Sequence, residues 1–167
     1  MKVTYSHIFN CDADTYWTKI FLDPDFNRSL YLDGLKFPEY EILEERDTGN
    51  TVVRRCRVLP KQDAPAVIQK AVGGKFSYVE EGTFDKTTKR YRFKVVTASM
   101  ADKIHTDGEM RVEPAGDKRC KRIMDMNIEV KIFGIGGMVE SFVSKSMQDS
   151  YDQAAAFTNK WIAEKKL

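Results

Sequence analysis

Three observations predict an α+β fold in which a curved seven-stranded antiparallel sheet wraps around a long C-terminal helix. Six consecutive segments between residues 38 and 133 alternate apolar and polar side chains with a period of two. Residues 138–165 then run without proline or glycine, and Val139, Val143, Met147, Ser150, Ala154, Phe157 and Trp161 fall on one stripe at helical spacing. One more strand and two short helices precede both. The chain has 167 residues, 42% of them hydrophobic and 31% charged, which suits one ordinary domain, so a single domain over 1–167 is expected.

The first strand is predicted over 2–9, with Val3, Tyr5, His7 and Phe9 on one side and Thr4 and Ser6 on the other. Asp12 then stands as an N-cap before Tyr16, Trp17, Ile20 and Phe21, which are spaced for a short amphipathic helix. Asp23-Pro24 interrupts that run, and Phe26, Leu30 and Leu35 carry a second short helix or turn. Strands follow at about 38–47, 51–59, 76–86, 90–98, 104–113 and 120–133. The turn sequences Asp47-Thr48-Gly49-Asn50, Lys86-Thr87-Thr88-Lys89 and Pro114-Ala115-Gly116-Asp117 make neighbours pair antiparallel. The longest gap, Pro60–Lys75, places Ala66, Val67, Ile68, Ala71 and Val72 ahead of Gly73-Gly74 and reads either as a brief helix or as a mobile flap. Gly134-Ile135-Gly136-Gly137 lacks the spacing and the Lys of a phosphate loop and reads as a hinge into the last helix.

Strand parity indicates which side chains look inward. On the last strand Met124, Met126, Ile128, Val130 and Ile132 oppose Asp125, Asn127, Glu129 and Lys131, so the methionine side faces the helix. Folding back across 114–117 sets Met110 beside Met124, Thr106 near Ile128 and Ile104 near Val130. Across 86–89, Phe84 pairs with Tyr91, Gly82 with Phe93, Glu80 with Val95 and Tyr78 with Thr97. One strand further, Arg54 falls opposite Glu80, with Cys56 and Val58 alongside Tyr78 and Phe76. Two readings of that charged pair stand side by side. Either it sits in the apolar wall and grips a ligand's polar head, or a bulge turns one member to solvent.

A strongly curved sheet and a straight helix diverge, so a cavity between them is expected. The order of elements resembles the START-like superfamily, also called SRPBCC, whose helix-grip fold includes lipid-transfer domains, pollen-allergen-type carriers and polyketide cyclases. Tyr78-Val79-Glu80-Glu81-Gly82-Thr83-Phe84-Asp85 and Ile135-Gly136-Gly137-Met138-Val139-Glu140, with Trp161 near the end, resemble a START-like branch known as a domain of unknown function. The resemblance spans essentially the whole chain. It implies an apolar ligand between sheet and helix, and it leaves that ligand's identity open.

The expected lining is Arg54, Tyr78, Glu80, Phe84, Tyr91, Phe93, Thr106, Met110, Met124, Met126 and Ile128 from the sheet, and Val143, Met147, Ser150 and Phe157 from the helix. Methionines among aromatics make an adaptable surface that suits a lipid or sterol. The leading expectation is therefore binding of a hydrophobic small molecule or lipid, for transport or sensing. A cyclase- or hydrolase-like enzyme using Glu80, Tyr78 or His7 as acid or base is the runner-up. A protein-interaction module with a filled interior is the third reading.

No residue is assigned a catalytic role. The only histidines are His7, on the inner side with Tyr5 and Phe9, and His105, expected to be exposed, and no nucleophile and base can be joined from them. Cys11, Cys56 and Cys120 are dispersed, so neither a metal nor another cofactor is expected, and unpaired cysteines fit a reducing compartment. A net charge of +2 gives no phosphate-tracking surface, so nucleic acid is not an expected partner. The absence of a signal-like or membrane-spanning stretch leads to an expectation of a cytoplasmic protein. Lys118, Arg119, Lys121 and Arg122 at one turn, and Lys86, Lys89 and Arg90 at another, read either as solvated charges or as a transient contact with anionic membranes. Asn27-Arg28-Ser29 matches a glycosylation sequon but carries no weight without a secretion signal.

Overall fold

Short polar turns dictate most of the architecture, because they force each strand to return beside the one before it. In the computed structural model, which describes residues 1–167, the strands are β1 (Lys2–Phe9), β2 (Glu39–Asp47), β3 (Thr51–Leu59), β4 (Tyr78–Asp85), β5 (Arg90–Thr97), β6 (Ile104–Pro114) and β7 (Cys120–Val130). They form one curved antiparallel sheet in the order β1-β7-β6-β5-β4-β3-β2, a meander whose first strand closes on its last. The helices are α1 (Ala13–Thr15), which continues as a π-helical turn over Tyr16–Phe21, α2 (Pro24–Ser29), continuing likewise over Leu30–Gly34, α3 (Ala66–Val72) and α4 (Gly136–Lys165). This is the α+β helix-grip arrangement expected from the sequence.

Caps start the short helices as the sequence indicates. Asp12 accepts from the Thr15 amide at 2.8 Å, and Asp23 accepts from the Phe26 amide at 2.7 Å. Between the alternatives for 60–75, the chain takes the brief helix, α3. The last strand stops at Val130 instead of reaching 133, and Gly134, at φ +80°, lets the chain turn back into α4. On α4 the fully buried line is Val139, Ala154, Ala155, Thr158 and Ile162, so the C-terminal half is rotated relative to the expected stripe. Phe157 and Trp161 are half-buried because they meet Phe26 of α2, with ring centroids 6.2 and 5.5 Å away.

The predicted registers of two hairpins hold residue by residue. Phe84 faces Tyr91 and Tyr78 faces Thr97, while Met110 faces Met124 and Thr106 faces Ile128. Between β3 and β4 the register is two residues from the expected one: Arg54 stands opposite Gly82, Cys56 opposite Glu80 and Val58 opposite Tyr78. A slip of two keeps every side chain on its own face, so alternation alone does not detect it.

Gly82 is needed where it stands. A Cβ there would lie 2.1 Å from the Tyr91 hydroxyl, because the Tyr91 ring crosses the glycine to reach Glu80. Gly82→Ala is expected to cost about 1–3 kcal/mol, the usual range for overpacking, and to expel Tyr91 from its place. Urea unfolding of the two proteins measures it, and equal midpoints would show that the ring gives way freely.

Candidate functional site

Sheet and helix leave a cavity of about 390 Å³ between them, lined by 42 residues of which 27 are hydrophobic. Inward positions of β3 to β7 form one wall, and Val143, Met147 and Ser150 of α4 face them. Tyr16, Ile20, Phe21, Phe26, Leu30 and Tyr31 from α1, α2 and their π-helical extensions complete the enclosure, together with Ile68, Val72 and Phe76 in and after α3.

Of the expected lining, Arg54, Tyr78, Glu80, Tyr91, Phe93, Met110, Met124, Met126, Val143, Met147 and Ser150 border this cavity. Phe84, Thr106, Ile128 and Phe157 do not. Phe84 is covered by Trp17, stacked at 4.4 Å, and Phe157 is turned toward α2. Ile128 is sealed in a second core cluster with Ile68, Val72, Ile104, Val130 and Val139. Thr106, buried beside Ile128 in the sheet, has the expected inward parity but lies outside the hollow. Parity selects a face of the sheet, whereas the hollow occupies only part of it.

One polar group of contacts lies inside the apolar wall. Arg54 is 4% exposed and hydrogen-bonds through Nε to Cys56 Sγ (3.2 Å), Nη1 to the Phe21 carbonyl (2.8 Å) and Nη2 to the Tyr40 hydroxyl (2.7 Å). Its guanidinium also lies over the Phe21 ring, 5.2 Å from the centroid. The Phe21 carbonyl is available because the helix ends there in a π-helical turn, and it accepts from Asn27 Nδ2 as well. A bulge in β2 between Ile42 and Glu44 brings Glu45 opposite Arg54, with Oε2 3.9 Å from Nε. Neither alternative for Arg54 and Glu80 holds: they form no ion pair, and neither is turned to solvent, since both side chains border the cavity. Glu80 instead accepts from the Tyr91 hydroxyl at 2.7 Å.

Burial pushes the Glu80 carboxyl above its ordinary range, against the opposing pull of the Tyr91 hydrogen bond and the Arg54 charge. Burial likewise raises the phenols of Tyr31, Tyr40, Tyr78 and Tyr91, so all four are neutral donors in the physiological range. Folding thus favours the protonated form of Glu80. The stability this adds is complete below about pH 4.3, where an unfolded Glu titrates, and is lost as pH rises through the folded value. Glu80→Gln stays neutral throughout, so its stability is expected to gain on that of the natural protein between about pH 4 and neutrality. Denaturant midpoints at both ends would show it, and a difference independent of pH would mean that Glu80 titrates as in the unfolded chain.

The sequence reading misplaced a second buried guanidinium. Arg122, 7% exposed, borders the cavity instead of joining the solvent-facing turn cluster. It lies between the rings of Phe9 and Tyr151, 5.2 and 5.1 Å from their centroids, and Nη2 meets His7 Nδ1 at 3.1 Å. Because a guanidinium only donates, His7 accepts at Nδ1 and carries its proton on Nε2, which donates to Asp152 Oδ1 at 2.7 Å. That hydrogen bond holds the Asp152 carboxyl below its ordinary range. His7 has this positioning partner but does not border the cavity. The signal for Arg122 was its parity, shared with Met124 and Met126. At the other turn Lys86 pairs with Asp47 at 2.6 Å and Lys89 with Asp14 at 3.5 Å. His105 is exposed, and its Nε2 lies 3.2 Å from the Asp102 carbonyl. No helix is long and apolar enough to cross a membrane.

Solved structures share this architecture. The norcoclaurine synthase of Thalictrum flavum superposes with a TM-score of 0.68 at 17% identity, covering 98% of this chain and 87% of the other. The Zhui aromatase/cyclase from Streptomyces sp. R1128 gives 0.67 at 13% identity, covering 100% and 96%. A START superfamily protein from Mycobacterium smegmatis gives 0.65 at 13% identity, covering 96% and 98%. At these identities the likeness is one of fold. A search of curated proteins finds no match. Residues 4–162 match the family described as protein of unknown function (DUF2505), and this chain, with its sheet and helix closed around a cavity, belongs to that family.

Proposed function

We propose that the protein binds a hydrophobic small molecule or lipid in the cavity between the sheet and α4. The observation that carries this reading is the apolar hollow of about 390 Å³, which lies within the size range of ligand pockets. Burial of apolar surface, at about 25 cal/mol per Å², supplies the affinity, and the few polar side chains in the wall fix orientation. The half-buried thioether of Met147, with Met124 and Met126 across the hollow, adapts the wall to irregular shapes. A norcoclaurine synthase of the same fold has been solved in complex with dopamine and hydroxybenzaldehyde, which supports the choice of a small molecule as the occupant.

Organic extraction of freshly purified protein, followed by mass spectrometry, tests the reading. A stoichiometric apolar compound is expected, and the absence of both a co-purifying compound and any binding of apolar fluorophores would overturn it. An enzyme working in the same cavity is the second reading, and one observation favours it: Glu80, raised by burial, holds a 2.7 Å hydrogen bond from Tyr91 within the hollow. That reading requires turnover with a bell-shaped pH dependence that Glu80→Gln abolishes. An interaction module with a filled interior is disfavoured by the volume of the hollow.

A further inference from the structure

Charge inside the cavity points to the chemistry of its occupant. Two guanidiniums, Arg54 and Arg122, are less than one-tenth exposed and border the hollow. A guanidinium carries a positive charge and only donates hydrogen bonds. Buried charge is costly unless a counter-charge with good hydrogen bonds offsets it. Yet all three hydrogen bonds of Arg54 go to neutral acceptors, the thiol of Cys56, the Phe21 carbonyl and the Tyr40 hydroxyl. The nearest carboxylate, Glu45, stays 3.9 Å from Nε, on a side chain one-third exposed. Arg122 meets His7 Nδ1 through Nη2 at 3.1 Å, and its Nε has no partner.

The acids around the hollow do not balance these charges. Glu80 is shifted toward its neutral form, and with Oε1 taken by Tyr91, Oε2 has no protein partner. Asp63 and Asp149, the other carboxylates of the lining, are exposed. Asp152 reaches Arg122 only through the imidazole of His7. The interior is thus apolar, and its two buried guanidiniums outnumber its one buried carboxyl, Glu80, which burial pushes above its ordinary range.

We propose that the molecule held here is an apolar acid, with its anionic group received by Arg54 and its hydrocarbon body lying along the methionine wall. The inference rests on the ligand-binding reading above and adds the charge of the ligand. An anion at Arg54 supplies the missing counter-charge through charge-assisted hydrogen bonds, and the free Glu80 oxygen, when protonated, donates one more. A neutral ligand of the same shape gains the apolar burial but leaves the guanidinium with only the one-third-exposed Glu45 at 3.9 Å and the buried Glu80 carboxyl to offset its charge.

Two acid and ester pairs of different shape test this: cis-parinaric acid with its methyl ester, and 2-naphthoic acid with methyl 2-naphthoate. Affinities are measured at pH 8 by fluorescence and displacement. In the natural protein the better-fitting acid is expected to bind at least about tenfold more tightly than its ester, as a hydrogen-bonded charge interaction implies. In Arg54→Gln that ratio is expected to fall near one with ester binding retained, whereas Arg54→Lys keeps a preference for the acid. Esters binding as tightly as acids in the natural protein would overturn the inference while leaving the ligand-binding reading intact. An unchanged ratio in Arg54→Gln, or one lost only in Arg122→Gln, would overturn the role of Arg54. Failure of all four probes to bind would overturn this inference, and would bring down the ligand-binding reading as well where no apolar compound co-purifies. Should Arg54→Gln not fold, the ratio in the natural protein and in Arg54→Lys decides.

Discussion

Trp17→Ala is expected to lower the unfolding free energy by about 3–5 kcal/mol, the range for removing a large buried aromatic side chain. Trp17 is 1% exposed, stacks on Phe84 at 4.4 Å and meets Tyr16 and Phe21 edge-on at 6.0 and 5.3 Å. It therefore joins the π-helical turn after α1 to the sheet, and with it the Phe21 carbonyl that accepts from Arg54. Losing the indole opens a void and loosens the chain that closes this part of the cavity. The indole Nε1 is buried without an acceptor, so Trp17→Phe, which keeps an aromatic ring and removes the unmatched donor, is expected to cost less than the alanine change. Denaturant unfolding monitored by far-UV circular dichroism measures both. A loss below about 1 kcal/mol for the alanine variant would mean that α1 is not anchored through this ring.

Ser150→Phe is expected to abolish ligand retention without unfolding the protein. Ser150 is half-buried on α4 and borders the hollow, where a benzyl group takes up volume that the ligand would occupy. Affinity for apolar probes is expected to fall by at least about a hundredfold, because most of the buried ligand surface loses its place. Cavity filling commonly leaves stability unchanged or raises it, by about 0.5–2 kcal/mol. Fluorescence titration paired with thermal melting separates the two effects. Unchanged affinity in a well-folded variant would place the binding site outside the hollow.

Parity made much of this arrangement readable. The alternation on β7 assigned Met124 and Met126 to the inner face, and the turns at 86–89 and 114–117 gave the registers of their hairpins, because a short turn leaves little freedom in pairing. The β3 and β4 strands are separated by 18 residues that include α3, so no tight turn constrains them, and a two-residue slip is invisible to a pattern of period two. The same pattern carried Arg122 inward with Met124, while its neighbours Lys121 and Arg119 drew it into a surface cluster. Glu45 reaches Arg54 only because the β2 bulge shifts its register, a local irregularity with no clear signature in that strand's composition.

By itself the sequence determined the strands, the long last helix, the antiparallel order of the six-strand meander and most of the inward side chains, since these follow from local periodicity and turn chemistry. Only the tertiary structure decided which inward residues meet empty space and which meet one another. Phe84 is covered by Trp17, Phe157 turns to Phe26, and Arg54 draws its partners from β2, β3 and the end of α1. Those contacts join segments far apart in the chain, and the space left between them depends on how a curved sheet and a straight helix diverge, which no local pattern encodes.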